Sequence, residues 1–495
     1  MGSEMSAAQR AAFRQQMAQL VAGNCHDVDG RDMPQATALA PRRQTGPPWK
    51  TEAIFEPQPA ERRRDPLSDT DEGQDAGQFT PLAPNSLAEA GIDEAWAESL
   101  ILKFLVSRPI ATGRETSQQI KLPFRITSQV LRRLKESQLV VYKNTASVND
   151  YVYEITAAGF DRARRFMEQS TYFGAAPVPL SQYVAAVRAQ SIRNRLPRFD
   201  QLEAAFADLM LDRTTLSQLG QAIASGLGLF LYGPSGNGKT SIAERITRAL
   251  GEGLWIPYAI SVASEIVRLY DPNLHEPLPP DGNHGQLRDE LIDNRWVRIR
   301  RPTVIVGGEL TMDHLEITVN KATGINEAPL QWKSNGGTLV IDDFGRQRIS
   351  PAELLNRWIV PLERRCDYLN LPSGRKIEVP FDQLIVFSTN LEPRELVDEA
   401  FLRRIPYKIE VRDPTESEFR RLFEQTASRM GIDYRSAAVD NLLQTHYQAT
   451  GRPLRFCHVQ DLLHQVRIYC QFHAQPPTLT TEALDAAVRN YFAMI

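Results

Sequence analysis

The sequence predicts an α/β protein built around a doubly wound parallel sheet, preceded by a smaller domain. An apolar segment, residues 227–232, leads into a glycine-rich loop and then into a helical pattern at residues 241–250. A second apolar segment, residues 338–341, ends on two adjacent aspartates. Buried strands that alternate with helices are typical of parallel sheets covered on both faces. Helical patterns and one alternating segment between residues 87 and 170 predict the smaller domain.

Composition, net charge and cysteine pattern limit the ligands and the cellular compartment that we expect for the protein. The chain has 495 residues, enough for more than one domain, and its formal net charge of -3 gives no general argument for nucleic-acid or membrane binding. Its cysteines, Cys25, Cys366, Cys457 and Cys470, form no CxxC pair and therefore predict neither a zinc site nor a disulfide framework. Because we find no membrane-length apolar run and no signal-peptide core, we expect a cytoplasmic protein without membrane insertion.

Residues 1–86 are predicted to be largely disordered. Residues 24–85 are rich in Pro, Gln, Asp and Arg and contain few large apolar side chains. Burial within such a stretch cannot offset the conformational entropy lost on ordering. A helical pattern at residues 6–21 precedes it. We interpret this pattern as a solvated helix, and a peptide that docks elsewhere is the alternative.

Residues 87–170 carry the pattern of three helices followed by a hairpin and a further helix. The first helix is expected in "IDEAWAESLILKFLV" and the second in "GRETSQQIKLP", with Thr116 or Ser117 near its start. The third covers "ITSQVLRRLKESQLV". Residues 139–156 alternate as a β-hairpin does, and "AAGFDRARRFMEQ" predicts the last helix. This order resembles a winged helix-turn-helix domain.

The third of these helices has a basic face. Arg125, Ser128, Arg132 and Lys135 lie opposite its apolar stripe on a helical wheel. From such a face side chains contact phosphates and enter a major groove, so DNA is one candidate partner. A protein-docking module, which we favour, and an ordinary solvated surface are the alternatives. The following residues, 171–195, are expected to form a connector.

The glycine-rich loop predicts a nucleotide-binding site, because it matches GxxxxGK[ST] between a strand and a helix. The motif consists of Gly233, Pro234, Ser235, Gly236, Asn237, Gly238, Lys239 and Thr240, and Ser241 follows it. The glycines allow backbone N–H groups to surround phosphates, and the helix N-terminus adds a favourable dipole. We expect Lys239 to reach the β- and γ-phosphates of ATP and the Thr240 hydroxyl to bind Mg²⁺.

The two aspartates that end the second apolar segment fit the same site. Asp342 and Asp343 repel each other unless a cation lies nearby, and Mg²⁺ is such a cation. Asp342 is interpreted as the Walker B carboxylate that holds Mg²⁺ through water, and Asp343 as the group that orients and deprotonates the attacking water. An isolated pair of aspartates is also common where a strand turns into a loop.

Together these motifs resemble those of the AAA+ ATPases over residues 201–495. The resemblance implies a P-loop ATPase core at residues 196–412 and a helical lid at residues 413–495, after the winged-helix domain at residues 87–170. AAA+ enzymes usually end the Walker B strand in Asp-Glu, whereas this chain has Asp-Asp. The shorter Asp343 side chain therefore puts the rate of hydrolysis in question.

Later residues match the AAA+ pattern in order. Asn390, at the end of "FDQLIVFSTN", matches sensor 1. In "DEAFLRRIPYKIEV" the resemblance implies an arginine finger, with Arg404 the first choice and Arg403 the second. In "TGRPLRFCHVQDLLHQV" it implies sensor 2, for which Arg455 is favoured over Arg452. A finger acts on the nucleotide of a neighbouring subunit, so the resemblance also implies a ring oligomer, most simply a hexamer.

A predicted β-hairpin makes the resemblance more specific to certain groups of AAA+ ATPases. Residues 367–380 read as two strands around the turn "PSGR", similar to the hairpin before sensor 1 in MoxR-type ATPases, bacterial enhancer-binding proteins and MCM helicases. The long segment 259–332 is expected to hold inserted elements, with residues 307–326 as a projecting loop. Glu309 within that loop is either a nucleotide-responsive switch or, more simply, a solvated carboxylate.

The predicted function is ATP hydrolysis in an oligomeric ring that remodels a protein client or, with less support, a nucleic acid. Two alternatives stay open. In one, the chain is an ATP-controlled DNA-binding regulator that acts through the winged helix. In the other, it is a nucleotide-bound scaffold with negligible turnover.

Overall fold

A computed structural model of the chain describes residues 79–146, 149–194, 197–251, 253–279, 291–397 and 399–492. The predictions for residues 1–78, including the helix at residues 6–21, lie outside these ranges. Within them, no helix combines the length and the apolar composition needed to cross a membrane.

The prediction of disorder is wrong for residues 79–86. Leu82 forms a β-bridge with Ile292. Phe79 packs edge-on against Trp296, with ring centroids 5.7 Å apart. The first eight described residues are therefore held by apolar packing and backbone pairing, although their composition resembles that of the preceding segment.

The described chain continues with a helical region that carries a small antiparallel sheet. Its elements are α1 (Leu87–Ala90), α2 (Glu94–Ser107), β1 (Ile110–Thr112), α3 (Gly113–Ile120), α4 (Phe124–Glu136), β2 (Val140–Thr145), β3 (Tyr151–Ile155) and α5 (Ala157–Gln169). The strand order is β1–β3–β2, with both pairs antiparallel. The predicted helices and hairpin are confirmed. Strand β1 was not predicted, because three residues are too few to show alternation.

Helix α3 begins earlier than predicted. The Thr112 hydroxyl accepts a hydrogen bond from Glu115 N (3.1 Å), and the Glu115 carboxylate accepts one from Thr112 N (2.7 Å). This reciprocal capping box starts the helix at Gly113. Thr116 and Ser117, predicted near the start, therefore lie within the helix.

Residues 171–195, which were predicted to be a connector, form regular secondary structure. They contain β4 (Val178–Pro179), α6 (Leu180–Ala189) and a 3₁₀ turn (Ile192–Asn194). Tyr183 of α6 is buried, and its hydroxyl accepts a hydrogen bond from Asn335 Nδ2 (3.0 Å). The segment is thus packed into the interior of the molecule.

The predicted parallel sheet follows. Its strands are β5 (Leu229–Tyr232), β10 (Thr303–Val306), β13 (Thr338–Ile341), β16 (Leu384–Thr389) and β17 (Tyr407–Glu410). The helices around it are α7 (Phe199–Ala205), α8 (Arg213–Ser225), α9 (Lys239–Ala249), α10 (Leu330–Lys333), α11 (Pro351–Arg364), α12 (Pro393–Leu396) and α13 (Glu399–Arg404). The strand order is β10–β13–β16–β5–β17, and all neighbours are parallel. Strand β16 therefore separates β5, which leads into the glycine-rich loop, from β13, which leads into the aspartates.

Helices cover both faces of this sheet. Leu229 and Leu231 of β5 pack with α8 and α9 on one face, whereas Phe230 packs with Trp358 of α11 on the other. Alternate side chains of a strand point to opposite faces, so each strand contributes to two cores. The predicted doubly wound α/β architecture is confirmed.

The long segment before β13 builds a second sheet. Its strands are β7 (Ala259–Val262), β8 (Glu265–Arg268), β11 (Thr318–Asn320) and β12 (Ile325–Glu327), which join β4 in the order β11–β12–β8–β7–β4. Strands β6 (Gly253–Pro257) and β9 (Trp296–Arg300) form a separate antiparallel pair, and a 3₁₀ turn covers Met312–Leu315.

The prediction of a projecting loop at residues 307–326 is wrong for the second half of that segment. Strands β11 and β12 pair as a hairpin, and the Thr323 carbonyl accepts hydrogen bonds from N (2.9 Å) and Oγ1 (3.0 Å) of Thr171. The tip of the hairpin is therefore docked against the chain that follows α5. This contact joins residues far apart in the sequence, which local patterns do not reveal.

The predicted hairpin before β16 is confirmed. It consists of β14 (Cys366–Asn370) and β15 (Lys376–Pro380). Gly374 in its turn has a φ of 81°, which favours glycine. Leu369 and Ile377 pack into the core of the second sheet, and Ser373 N donates to Glu265 Oε1 (3.3 Å). The hairpin thus lies against the second sheet.

The C-terminal residues form a helical region with its own core. Its elements are α14 (Glu416–Arg429), α15 (Ser436–Leu442), a π-helical turn (Leu443–Gln448), α16 (Phe456–Phe472) and α17 (Thr481–Tyr491). Phe419, Phe423, Leu462 and Leu484 lie in this core. We call residues 413–492 the lid from here on.

Candidate functional site

The loop between β5 and α9 has a conformation that requires its glycines. Gly233, Gly236 and Gly238 have φ values of 134°, 84° and 80°, where residues with a side chain are strained. A Cβ atom on Gly233 would collide with the carbonyl oxygen of Val411, and one on Gly236 with the sulfur of Cys457. The loop therefore lies close to the end of β17 and to the start of α16.

The ammonium group of Lys239 lies against this loop. Its Nζ donates to the carbonyl oxygens of Gly233 (2.8 Å) and Pro234 (3.0 Å) and to Oδ1 of Asn390 (2.7 Å). The residue is 7% exposed, and burial lowers its pKa while two nearby carboxylates oppose that shift. Lys239 is thus held beside the backbone of the glycine-rich loop.

The two aspartates make different contacts at the same place. Asp342 accepts a hydrogen bond from Thr240 Oγ1 (2.7 Å) with one oxygen and from Asp343 N (3.0 Å) with the other. The Asp343 carboxylate accepts a longer hydrogen bond from Asn390 Nδ2 (3.4 Å). Asn390 therefore contacts Lys239 through its oxygen and Asp343 through its nitrogen, and it joins the two motifs.

A cavity of about 1090 Å³ opens beside these groups. The predicted site residues that line it are Ser235, Gly236, Asn237, Gly238, Lys239, Thr240, Ser241, Asp342, Asp343 and Asn390. The volume is ample for an organic ligand the size of a nucleotide. The structure thus brings most of the predicted nucleotide and metal residues to one place.

Other parts of the cavity wall were missed by the sequence analysis. Residues 208–212, just before α8, form one side, and Leu422, Thr426 and Met430 of the lid form another. No motif marks these residues. They line the cavity because the fold brings them there, so a local pattern gave no signal.

Asp413 joins the loop to the lid, and the sequence analysis did not identify it as a site residue. Asn237 Nδ2 donates to Asp413 Oδ1 (2.7 Å), and Asn237 Oδ1 accepts from Phe456 N (3.3 Å). Arg455 forms an ion pair with the same Asp413 carboxylate. The favoured sensor 2 candidate thus lies next to the glycine-rich loop.

Arg452 makes its contacts within the lid. Its guanidinium carbon lies 3.7 Å from the ring centroid of Phe492, and its Nη1 donates to the carbonyl of His446 (3.0 Å). Arg452 is therefore part of lid packing, which favours Arg455 between the two candidates.

The two candidate finger arginines lie outside the cavity wall formed by the described residues. Arg404 Nε donates to Glu363 Oε1 (2.7 Å), whereas Arg403, whose side chain is 78% exposed, pairs with Glu399 at 3.4 Å. A finger would act in the cavity of a neighbouring subunit, so a position away from its own cavity is expected.

Glu309 is held by its own loop. Its Oε1 accepts a hydrogen bond from Gly307 N (3.0 Å), and this contact lowers the pKa of the carboxyl group. Glu309 is not among the described residues that line the cavity. The interpretation as a local loop carboxylate is therefore the simpler one.

Comparison with known proteins identifies little of the chain. Residues 415–490, most of the lid, match a family model described as a domain of unknown function, DUF8689. Among curated proteins, none matches the chain.

Solved structures resemble the chain weakly. The Thermotoga maritima RuvB Holliday junction branch migration motor is 14% identical with a TM-score of 0.33, and the match covers 57% of this chain and 70% of that one. NtrX from Brucella abortus in complex with ADP is 16% identical with a TM-score of 0.36, covering 67% and 71%. The same protein in complex with ATP is 16% identical with a TM-score of 0.35, covering 58% of each chain. Likenesses this weak assign neither a family nor an activity.

Proposed function

We propose that the chain is an AAA+ ATPase that hydrolyses ATP in this cavity. The observation that carries the proposal is the convergence of Lys239, Thr240, Asp342, Asp343 and Asn390 beside one glycine-rich loop. These residues come from three neighbouring strand ends of a parallel sheet, where α/β proteins bind ligands. Phosphoryl transfer needs an ammonium group, a hydroxyl group and carboxylates near the phosphates. All of these groups lie beside the glycine-rich loop.

Mg²⁺ is the metal that these side chains fit. The described residues include no cluster of three or more His, Cys, Asp and Glu side chains suited to a metal ion. Mg²⁺ at a nucleotide does not need one, because it keeps waters and takes its other ligands from phosphates. The Thr240 hydroxyl and the Asp342 carboxylate, 2.7 Å apart, supply a suitable protein pair. When bound, Mg²⁺ would neutralise charge on the β- and γ-phosphate oxygens.

The residues of the chain then have distinct roles. Lys239 exchanges its contacts with the loop carbonyls for contacts with the phosphates, which are charge-assisted and therefore stronger. Asp343 accepts the proton of the attacking water. Asn390, which contacts both residues, holds the water and the γ-phosphate in line. Each step uses a group that already lies at the cavity.

The proposed assembly is a ring, most simply a hexamer, in which Arg404 of one subunit reaches the nucleotide of the next. Arg455, beside Asp413 and the phosphate loop, serves as sensor 2. These assignments rest on the AAA+ resemblance and on the order of the residues. The product of the ATP cycle is the remodelling of a protein client.

Residues 87–170 are proposed to form a winged helix that docks a protein. Helices α2, α3 and α4 correspond to the three predicted helices, and β2 and β3 form the wing. Arg125 Nη2 donates to the Asn85 carbonyl oxygen (2.5 Å), so this arginine is engaged within the chain. Arg132 and Lys135 stay exposed. The Lys135 ammonium also lies 5.3 Å from the ring centroid of Tyr142. Two exposed cations on this face are a small footprint for phosphate binding, which favours a protein partner over DNA.

The proposal is tested by replacing Lys239. Lys239→Ala should abolish ATP binding while circular dichroism stays unchanged, because water cannot replace a charge-assisted phosphate contact in a closed site. Lys376→Ala, at an exposed position on the hairpin, is the matched control and should bind ATP like the wild type. Wild-type ATP affinity in the Lys239→Ala variant would refute the phosphate-binding role of the loop.

A further inference from the structure

A second cavity lies between helices α2 and α5 on one side and the second sheet on the other. Its volume is about 540 Å³, within the usual range for pockets that hold small organic ligands. Trp96 and Phe166 from the helices, and Ile266 and Val319 from the sheet, line it. Ser373, at the tip of the β14–β15 hairpin, also reaches it. The cavity is separate from the proposed ATP site and shares no lining residue with it.

Two charged side chains, Lys103 and Glu265, line this cavity. The Glu265 carboxylate already accepts hydrogen bonds from Asn326 Nδ2 (2.9 Å) and Ser373 N (3.3 Å). Lys103 sits within an apolar run of α2, "LILKFLV", and is 4% exposed. Its Nζ donates one hydrogen bond, to the carbonyl oxygen of Ser170 (3.2 Å). Among the residues that the structure describes, no carboxylate forms an ion pair with it. Burial lowers the pKa of Lys103 to about 8, so the group is still mostly protonated at neutral pH.

A buried ammonium group with one acceptor is costly. It has three N–H donors, of which one has an acceptor among the described residues, and removing an unpaired charge from water is far less favourable than burying an apolar side chain. The neighbours Leu102 and Phe104 show that α2 otherwise buries apolar residues at this level. The described residues therefore leave part of its hydrogen-bonding capacity unused, and an anionic ligand would use it.

We propose that this cavity binds a small amphipathic organic acid, with its carboxylate on Lys103 and its apolar body against Trp96 and Phe166. A carboxylate oxygen is the acceptor that completes the bonding of a single ammonium group. Lys103 is the one cation among the described residues of the wall, and the Glu265 carboxylate is already bonded within the chain. A single cation matches a monoanion, whereas phosphates are typically held by several donors or by arginine. The apolar walls match a hydrocarbon chain or ring, which gains free energy by leaving water.

The position of the cavity gives the ligand a structural consequence. The acid would contact α2 and α5 of the N-terminal helical region and, at the same time, the tip of the β14–β15 hairpin. That hairpin leads directly into β16, beyond whose end Asn390 lies. Binding therefore stabilises the contact between the N-terminal helical region and the ATPase part of the chain.

Equilibrium dialysis of the full-length protein against radiolabelled decanoate and decan-1-ol tests the proposal. The two probes share an apolar chain and differ in charge. We expect the wild type to bind one decanoate per chain, about ten-fold or more tightly than decan-1-ol, because a hydrogen bond to a charged group contributes that much. Equal binding of the two probes, or no binding of decanoate, would overturn the proposal.

Two sets of variants separate a ligand site from a structural lysine. Lys103→Met keeps the length of the side chain and removes its charge, and it should bind decanoate about ten-fold more weakly without changing decan-1-ol binding. Val319 is 40% exposed at the edge of the cavity, so Val319→Glu does not disturb the core. It should weaken decanoate binding relative to Val319→Gln by charge repulsion alone.

The Val319 pair decides the question if Lys103→Met fails to fold. Decanoate affinities that are equal in Val319→Glu and Val319→Gln would show that the cavity does not select anions. ATP turnover without any added acid should be the same in both Val319 variants as in the wild type, because Val319 lies outside the ATP cavity.

Discussion

Asp343 has a φ angle of 48°, a left-handed conformation that few residues other than glycine adopt. Aspartate tolerates it better than most, and strained backbone of this kind concentrates at functional sites. The turn sends the carboxylates of Asp342 and Asp343 to different partners, Thr240 and Asn390. The sequence predicted that both aspartates serve one site. It could not show this turn, because the dihedral angle of Asp343 depends on contacts made by the whole strand end.

The first prediction concerns the length of the Asp343 side chain. In the usual AAA+ pattern a glutamate stands here, and its extra methylene brings the carboxylate closer to the attacking water. If this cavity is a simply shortened version of that site, Asp343→Glu should retain or raise the rate of ATP hydrolysis. Steady-state phosphate release measures it. A rate lowered ten-fold or more at unchanged ATP affinity would indicate that the surroundings have closed around the shorter side chain.

At the scale of helices and strands, segments whose apolar residues recur at regular spacing were predicted well. Short segments, and segments without such spacing, were not. Helix α4 was predicted because its apolar residues recur at helical spacing, and Ile126, Val130 and Leu134 are indeed buried. Helix α6 was missed because the prolines and small residues just before it indicated a connector. Strand β4 has only two residues, and it exists because β7 lies beside it. Such pairing is decided by the tertiary structure.

The second prediction tests helix α4. Replacing Arg132 and Lys135 with Glu should leave the basal ATPase rate unchanged, because neither residue lines the ATP cavity. If the helix binds DNA, the double variant should weaken duplex binding and flatten its dependence on salt concentration. Since we favour protein docking, we expect no duplex binding by the wild type even at low salt. Fluorescence anisotropy with a labelled duplex distinguishes the outcomes.

The third prediction concerns the pH dependence of lid stability. His458 is 8% exposed, and its Nδ1 lies 3.1 Å from the Tyr447 hydroxyl. Burial, helped by Arg455 and Arg452, lowers its pKa from 6.5 to about 4. The unfolded chain therefore binds this proton more readily than the folded protein does. The stability that depends on neutral His458 is complete above the unfolded pKa and is lost as the pH falls through the interval towards about 4.

Urea unfolding at neutral and at mildly acidic pH measures this effect. The free energy of unfolding of the lid should fall more steeply with acid in the wild type than in His458→Gln, which cannot take up the proton. The matched control is His464→Gln, an exposed position on the same helix, which should behave like the wild type. Parallel pH profiles for the wild type and His458→Gln would exclude this role of His458.

At the scale of the whole molecule, the motifs predicted the central sheet and the phosphate loop but not the walls around them. Residues 208–212 and the lid residue Met430 line the cavity without any pattern of their own. Asp413, which links Asn237 to Arg455, likewise had no signal. Residues of this kind are identified only after the chain has folded, because their role comes from the meeting of distant segments.

The fourth prediction concerns assembly. Specific ATPase activity should rise with protein concentration, because in the proposed ring each site takes an arginine from a neighbouring subunit. Arg404→Ala should bind ATP but hydrolyse it about 10³-fold or more slowly, since such an arginine stabilises charge mainly in the transition state. Arg403→Ala is the matched control and should retain activity. Mixing Arg404→Ala with Asp343→Asn subunits should restore some composite sites.

The assembly prediction has a clear contrary result. A strictly monomeric enzyme, with a specific activity independent of concentration, would contradict the shared site. Loss of activity in Arg403→Ala with a fully active Arg404→Ala would move the finger to its neighbour in the sequence and keep the ring.

Phosphate release from Mg²⁺-ATP by the wild type and by Asp343→Asn, with ATP binding measured on the same samples, tests the central claim most directly. An amide cannot accept the proton of the attacking water, yet it keeps the shape of the side chain and removes a charge beside Asp342. General-base assistance is worth about 10²- to 10⁴-fold in rate. We predict that both proteins bind ATP and that only the wild type turns it over at an appreciable rate. Hydrolysis by Asp343→Asn at the wild-type rate would contradict the account and leave Asp343 as a turn residue.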